Sequence, residues 1–337
     1  MEKPARLSIP LFGSNQRCLY IKTENPIEEI WSMLLMFSDR IFLERFWAGK
    51  SDDDYLTATK ALVQAREYYL ASKTVTLNTR PLLLYYSILN LTKAVLLILG
   101  EETPQEYHGL CKPDFGGDFL ESKASANNGV FLSLAKKEQH SIEIKKDFSI
   151  EDMVKVSIDL YNKYEYYYKK EAPVINFTAE KFQNGKIYLV AKVSKNKIEL
   201  MEHFFNENKV LNSKFEMENN CNSIRLTNKQ PIKESNPEKL LDKMRLLLSE
   251  EFSFSAFNSE SVYLILEKNP LPPAAAYFGI SYMIGMLVRY APGRYYHFIE
   301  NPTSSQTWFV KKVCDTIERV YPNIMLNYLY GECYKFY

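Results

Sequence analysis

"TRPLLLYYSILNLTKAVLLILG", Thr79 to Gly100, is the most apolar stretch of a 337-residue chain. Its reading decides the fold, because it is either a lipid span or the central helix of a protein core. Leu82 to Leu99 is 18 residues long, the lower edge of a span. Lys93 falls inside it, where a charge at mid-bilayer costs about 2.5–3.5 kcal/mol, and Ser87 and Asn90 add polar groups. The stretch therefore reads as a buried helix, with Thr79 as N-cap, Pro81 in the first turn and Gly100 just past the end. A helix apolar on nearly all sides belongs at the centre of other helices. Tyr86, Asn90 and Lys93 recur at i, i+4 and i+7 and share one face. That stripe either lies satisfied between helices or lines a cleft.

The neighbouring segments supply such helices. "PIEEIWSMLLMFSDRIFLERFW" from Pro26 carries Ile30, Met33, Leu34, Phe37 and Ile41 at helical spacing. "SDDDYLTATKALVQAREYYLASKTV" opens on capping residues and turns Leu62, Ala65, Tyr69 and Ser72 to one side. Near the C-terminus, "NPLPPAAAYFGISYMIGMLVRYAPGRYYHFI" predicts a helix from Pro272–Pro273 to about Tyr290, stopped by Pro292-Gly293. "SSQTWFVKKVCDTIERVYPNI" predicts one with Trp308, Val310, Val313, Ile317 and Val320 inward.

The middle differs. Residues 101–130 are rich in Pro, Gly, Asn and Ser and read as loop. "VFLSLA" and "SIEIKK" read as strands, and "SIEDMVKVSIDLYNKYEYYYKK" as one helix capped by Ser149. "RLSIPLF" and "CLYIKT" near the start also read as extended. Asn184-Gly185 lies between two alternating runs and predicts a type I′ hairpin. "KIELMEHFFNEN" and "PEKLLDKMRLLLSEEF" read as helices; "KFEME", "NSIRLT" and "SVYLILE" read as strands. The expected fold is α+β and predominantly α. Residues 1–120 and 235–337 form a helical bundle, and 121–234 form an α+β insertion.

Composition narrows function. With 42 basic and 41 acidic residues, no global field attracts nucleic acid or anionic lipid. Cysteines 18, 111, 221, 314 and 333 are odd in number and widely spaced. They point to a reducing cytosol rather than to zinc or disulfides. The opening residues lack a continuous apolar core, so no signal peptide and a cytoplasmic location are expected. Phosphate-loop, dinucleotide, G-x-S-x-G and H-E-x-x-H motifs are absent. The histidines, 108, 140, 203 and 297, are scattered; no metal and no cofactor is expected.

Two places carry chemistry. In "EYHGL", Gly109 permits an unusual backbone and His108 titrates near neutrality; the alternative is a structural histidine. In "VRYAPGRYYHF", Arg289, Arg294 and His297 gather with Tyr290, Tyr295 and Tyr296. Such a set grips phosphate or stacks on a base; alternatively it docks the last helix.

The segments "TRPLLLYYSILNLTKAVLLILG", "EYHGL" and "MLVRYAPGRYYHF" resemble the YaaC-like family of bacterial proteins over roughly 55–115 and 260–330. That family brings no assigned activity. An "A-x-x-Y-Y" helix followed by "LYYSILNLTKAVLL" and a His is also similar to HEPN-type bundles. That resemblance implies a HEPN-like fold and a bacterial phage-defence or stress setting. It also raises metal-independent ribonuclease chemistry by an Arg and a His. The spacing departs from that pattern: seven residues separate Arg289 from His297, and two separate Arg294 from His297. A catalytic set would draw on Arg289, Arg294, His297 and His108.

The first expectation is a nucleic-acid-binding or protein-interaction subunit, with RNA, DNA or another protein subunit as partner, no membrane, and a homo-oligomer allowed. The alternatives are an atypical HEPN-like ribonuclease and a small-molecule or nucleotide sensor. The ligand-binding candidates are Tyr86, Asn90, Lys93, His108, Arg289, Arg294 and Tyr295.

Overall fold

The computed structural model describes residues 18–101, 107–138, 147–248, 251–253, 255, 261–300 and 306–336. The fold is α+β, 58% helix and 20% strand. It divides into two compact units, one of Tyr20–Lys170 with Leu271–Tyr337 and one built on Glu171–Pro270. The strands between 108 and 149 pair with one another and pack beside the helices of the first unit.

After strand β1 (Cys18–Ile21), the first unit opens with α1 (Pro26–Leu35), α2 (Arg40–Phe46), α3 (Asp52–Thr74) and α4 (Arg80–Ile98). The expected single helix from Pro26 is broken. A 3-10 turn, Met36–Ser38, separates α1 from α2, and Asp39 caps α2 by accepting from the Phe42 amide at 2.8 Å. The break resets the helical phase, so Ile41, expected inward, is 70% exposed. Ser51 and Asp54 form a capping box at the start of α3, whose buried face is Tyr55, Ala58, Leu62, Ala65, Tyr69 and Ser72.

The opening stretch is α4. It is long and apolar enough to cross a membrane, but most of it is buried, packed against α3 and two later helices, α11 (Pro273–Tyr290) and α13 (Gln306–Tyr330). Its burial is that of a helix inside a protein core. Thr79 stands at the N-cap position without a side-chain cap.

The expected loop after α4 is a three-stranded antiparallel sheet, β2 (His108–Asp114), β3 (Lys123–Gly129) and β4 (Asp147–Ser149). Its register is irregular, which hides it from period-two reading. "VFLSLA" is α5 (Val130–Glu138), not a strand; Val130, Phe131, Leu134 and Ala135 are buried at helical spacing. Ser149 caps as expected, but its helix is two, α6 (Ile150–Val156) and α7 (Tyr161–Tyr168). The break at Ser157 seats Asp159 against Tyr277, whose hydroxyl donates to the carboxylate at 3.3 Å. "RLSIPLF", "SIEIKK" and His140 lie outside the described residues.

The second unit is a six-stranded antiparallel sheet. It comprises β5 (Val174–Gln183), β6 (Lys186–Lys192), β7 (Phe215–Asn220), β8 (Ser223–Asn228), β9 (Phe252–Ser253) and β10 (Ser261–Ile265). Helices α8 (Lys195–Glu207), α9 (Lys209–Lys214) and α10 (Pro237–Leu248) accompany it. Asn184 and Gly185 adopt positive φ, 53° and 77°, as the hairpin requires. Alternate residues Ile187, Leu189 and Ala191 join Ile198, Met201 and Phe205 in one core.

The chain then enters α11, α12 (Pro292–Glu300), α13 and β11 (Cys333–Phe336). Pro292 stops α11 but also opens α12, a helix the reading did not foresee. Phe309, Val310, Val313, Ile317 and Val320 of α13 are buried. Trp308, expected inward, is at the surface, where Tyr167 stacks on it.

Candidate functional site

Tyr86, Asn90 and Lys93 are each half-buried along one side of α4. Asn90 donates to the Tyr86 carbonyl at 2.9 Å, one turn back. The next contributor is His108, at the start of β2. Its placement depends on Gly109, which adopts φ +82°; a Cβ there would meet the Phe131 nitrogen at 2.6 Å. Only glycine accepts both the angle and the approach. The Tyr85 hydroxyl and His108 Nδ1 are joined by a hydrogen bond. The third contributor is Arg289 in the last turn of α11, whose guanidinium donates to the Tyr86 hydroxyl at 2.5 Å. Gly285 lets α11 approach α4 here, since a Cβ on it would lie 2.9 Å from that of Tyr85.

Aromatic rings frame these groups. Tyr68 lies 5.5 Å from Tyr86, and Tyr282 lies 5.5 Å from Tyr85 and 6.3 Å from His108, centre to centre. Burial holds the Tyr85 phenol well above its usual range and moves Tyr282 up to about 12. Both therefore stay neutral hydrogen-bonding groups.

The electrostatics have one sign. Burial lowers the Lys93 ammonium below its ordinary value. Burial also lowers the His108 imidazole, and the charges of Lys93 and then Arg289 lower it further. Among the described residues, no ion pair reaches Lys93, His108 or Arg289. Three basic groups thus converge beside tyrosine hydroxyls and rings. Chemically, the arrangement suits an anion that also offers a flat apolar face.

The remaining sequence candidates are placed differently. The kink at Ala291 puts Arg294, Tyr295 and His297 on α12 rather than on the helix of Arg289. Arg294 donates to the Gly117 carbonyl at 2.8 Å, and the buried Tyr295 hydroxyl donates to the Leu77 carbonyl at 2.7 Å. His297 is exposed, beside Phe298. The structure brings together Tyr86, Asn90, Lys93, His108 and Arg289. It gives Arg294 and Tyr295 tethering contacts instead. Sequence reading missed Tyr68 and Tyr282 as lining groups. The available signal for Tyr282 was its position two helical turns before Arg289. Among the described residues, no group of His, Cys, Asp or Glu is arranged to hold a metal ion.

A family model covers residues 42–329, described as YaaC-like Protein. The chain belongs to the YaaC-like family. The matched span runs from α2 to α13, so all the converging side chains of this YaaC-like protein lie within it. The family's description names no reaction. Comparison with curated proteins and with solved structures yields no match.

The His108 environment of this YaaC-like protein makes a pH prediction. Its folded value lies below its ordinary value of 6.5, so between the two the unfolded chain binds the extra proton. The stability contributed by the neutral ring is complete above 6.5 and is lost as pH falls through the folded value. Melting temperature is expected to fall from pH 7.5 to pH 5, and less so in His108→Gln. Parallel declines in the two proteins would remove His108 as the cause.

Proposed function

We propose that this chain binds a nucleotide phosphate, presented by RNA or by a free nucleotide, in the cytoplasm, on a HEPN-like helical bundle. The observation that carries the reading is the convergence of Lys93, His108 and Arg289 with no ion-pair partner among the described residues. A phosphate satisfies that charge, and the Tyr86 and Tyr68 rings offer a stacking surface to the attached base.

Titration with a single-stranded RNA oligonucleotide and, separately, with nucleoside mono- and triphosphates tests it. Binding is expected to weaken with salt. Arg289→Ala is expected to reduce affinity about tenfold, or about 1.4 kcal/mol, without a change in melting temperature, because Arg289 is exposed. Tight RNA binding with weak mononucleotide binding identifies a nucleic-acid protein; the reverse identifies a sensor. Absence of both at low salt, or an unaffected Arg289→Ala, overturns the reading and leaves a protein partner as the next one to test.

A second reading is metal-independent RNA cleavage, favoured by the meeting of His108 and Arg289 in one site. In the tautomer whose Nδ1 accepts from the Tyr85 hydroxyl, the neutral ring carries its proton on Nε2. Such a ring can exchange protons with a ribose hydroxyl while the guanidinium stabilises phosphate charge. RNA that stays intact while bound removes this reading.

A further inference from the structure

We propose that a second copy of this chain docks on the outer face of α3, through antiparallel, two-fold symmetric pairing of the helix with itself. The inner face of α3 is fully used, with Tyr55, Leu62 and Tyr69 buried at seven-residue intervals. The outer face repeats the interval with large aliphatic side chains. Leu56, Val63 and Leu70 are 50%, 40% and 47% exposed. The outward side of a surface helix is ordinarily polar. An aliphatic residue every seventh position is the pattern of a helix that meets another helix.

The charges between these residues select the occupant. Lys60 follows Leu56 by one turn, and Glu67 follows Val63 by one turn; both are exposed, and neither forms an ion pair among the described residues. Along the chain, the stripe reads Leu56, Lys60, Val63, Glu67, Leu70. Read backwards, it keeps its aliphatic positions and exchanges its charges to within one residue. Two antiparallel copies with their axis at Val63 therefore place Leu56 against the partner's Leu70 and Lys60 one residue out of register with the partner's Glu67, about 1.5 Å along the axis and within reach of both long side chains. Each contact occurs twice, as an isologous interface demands. Parallel pairing would set Lys60 against the partner's Lys60 and Glu67 against the partner's Glu67, which is repulsive. The face is thus complementary to itself in one orientation. Leu56 to Leu70 spans about 21 Å at 1.5 Å per residue, a contact of four turns.

Sedimentation velocity over about 1–100 μM, the range suited to a small interface, tests the proposal on the full chain. The wild-type protein is expected to associate to twice its 39.4 kDa mass. Lys60→Glu and Glu67→Lys each turn two attractive contacts into two repulsive ones. Each is expected to weaken association at least about tenfold. The double variant with both changes restores complementarity and is expected to associate like the wild type. Val63→Lys sets like charges on the axis and is expected to give a monomer. All these positions are on the surface, and circular dichroism verifies that each variant is folded. A wild-type chain that stays monomeric overturns the proposal. So do single charge variants that associate normally, or a double variant as weak as the singles. The measurement contains no RNA or nucleotide, so its outcome is independent of the phosphate site.

Discussion

Replacing Arg80 with methionine is expected to lower the unfolding free energy by about 3–5 kcal/mol, the cost of leaving a buried charge without its main partner. The charge is Glu318 of α13, only 3% exposed. Arg80 holds one of its oxygens through Nε at 2.9 Å and Nη2 at 2.6 Å, and reaches Asp315 at 2.8 Å. Lys73 of α3 holds the other oxygen at 2.6 Å. The network fastens the first turn of α4 and the last of α3 to the middle of α13, across more than two hundred residues of chain. Lys73 alone cannot replace the guanidinium, because its side chain is nearly half exposed and its ammonium makes one contact where Arg80 donates from two nitrogens. Urea denaturation followed by circular dichroism measures the loss. The double variant Arg80→Met with Glu318→Met is expected to recover most of it, since removing both charges removes the desolvation penalty as well. A loss below about 1 kcal/mol in the single variant, or additive losses in the double, would show that the network does not carry the α4–α13 contact.

That network illustrates what the sequence shows and what it conceals. The central position of α4 was legible because an all-round apolar helix has one stable place in a folded chain. The side of it that stays polar was legible from spacing alone. Arg80 was not legible as an anchor. It opens a helix, where the macrodipole disfavours a cation, and its partners lie far along the chain. The same limit applies to the candidate site. Lys93 and Asn90 share a helix face that can be drawn from the sequence, and the unusual backbone at Gly109 marks His108. Their meeting with Arg289 is a tertiary event. Arg289, Arg294 and His297 look like one group in sequence, but a single kink at Ala291 assigns them to two helices with different directions. The strands β2 and β3 were missed for a related reason. Irregular register and positive φ at Gly109, Lys112 and Gly129 give a glycine-rich pattern that resembles loop.

Lys93 decides between a site and a structural stripe, because the two roles give changes of opposite sign. Lys93→Met keeps the length and the apolar stem and deletes the charge. At a binding site whose charge awaits a ligand, the change is expected to stabilise the free protein by about 0.5–2 kcal/mol, the usual gain when a functional group is removed from a strained place. The pH dependence follows from the same cause. Burial holds the folded ammonium below its ordinary value of 10.5, so the unfolded chain binds the extra proton between the two values. Stability carried by the neutral amine is present above 10.5 and is lost as pH falls through the folded value. Below the folded value the wild type bears the full cost of the half-buried cation, and the advantage of Lys93→Met is expected to shrink as pH rises through that value. Phosphate-ligand affinity is expected to fall about 10–100-fold in the same variant, because a half-buried ammonium that would face the phosphate is gone. Thermal melts at pH 7 and pH 10, with and without nucleotide, give all of these readings. Nucleotide is expected to raise the melting temperature of the wild type and to leave that of Lys93→Met nearly unchanged. A lower melting temperature in the free variant together with undiminished binding would make Lys93 a structural cation, and the phosphate site would lose one of its three basic groups.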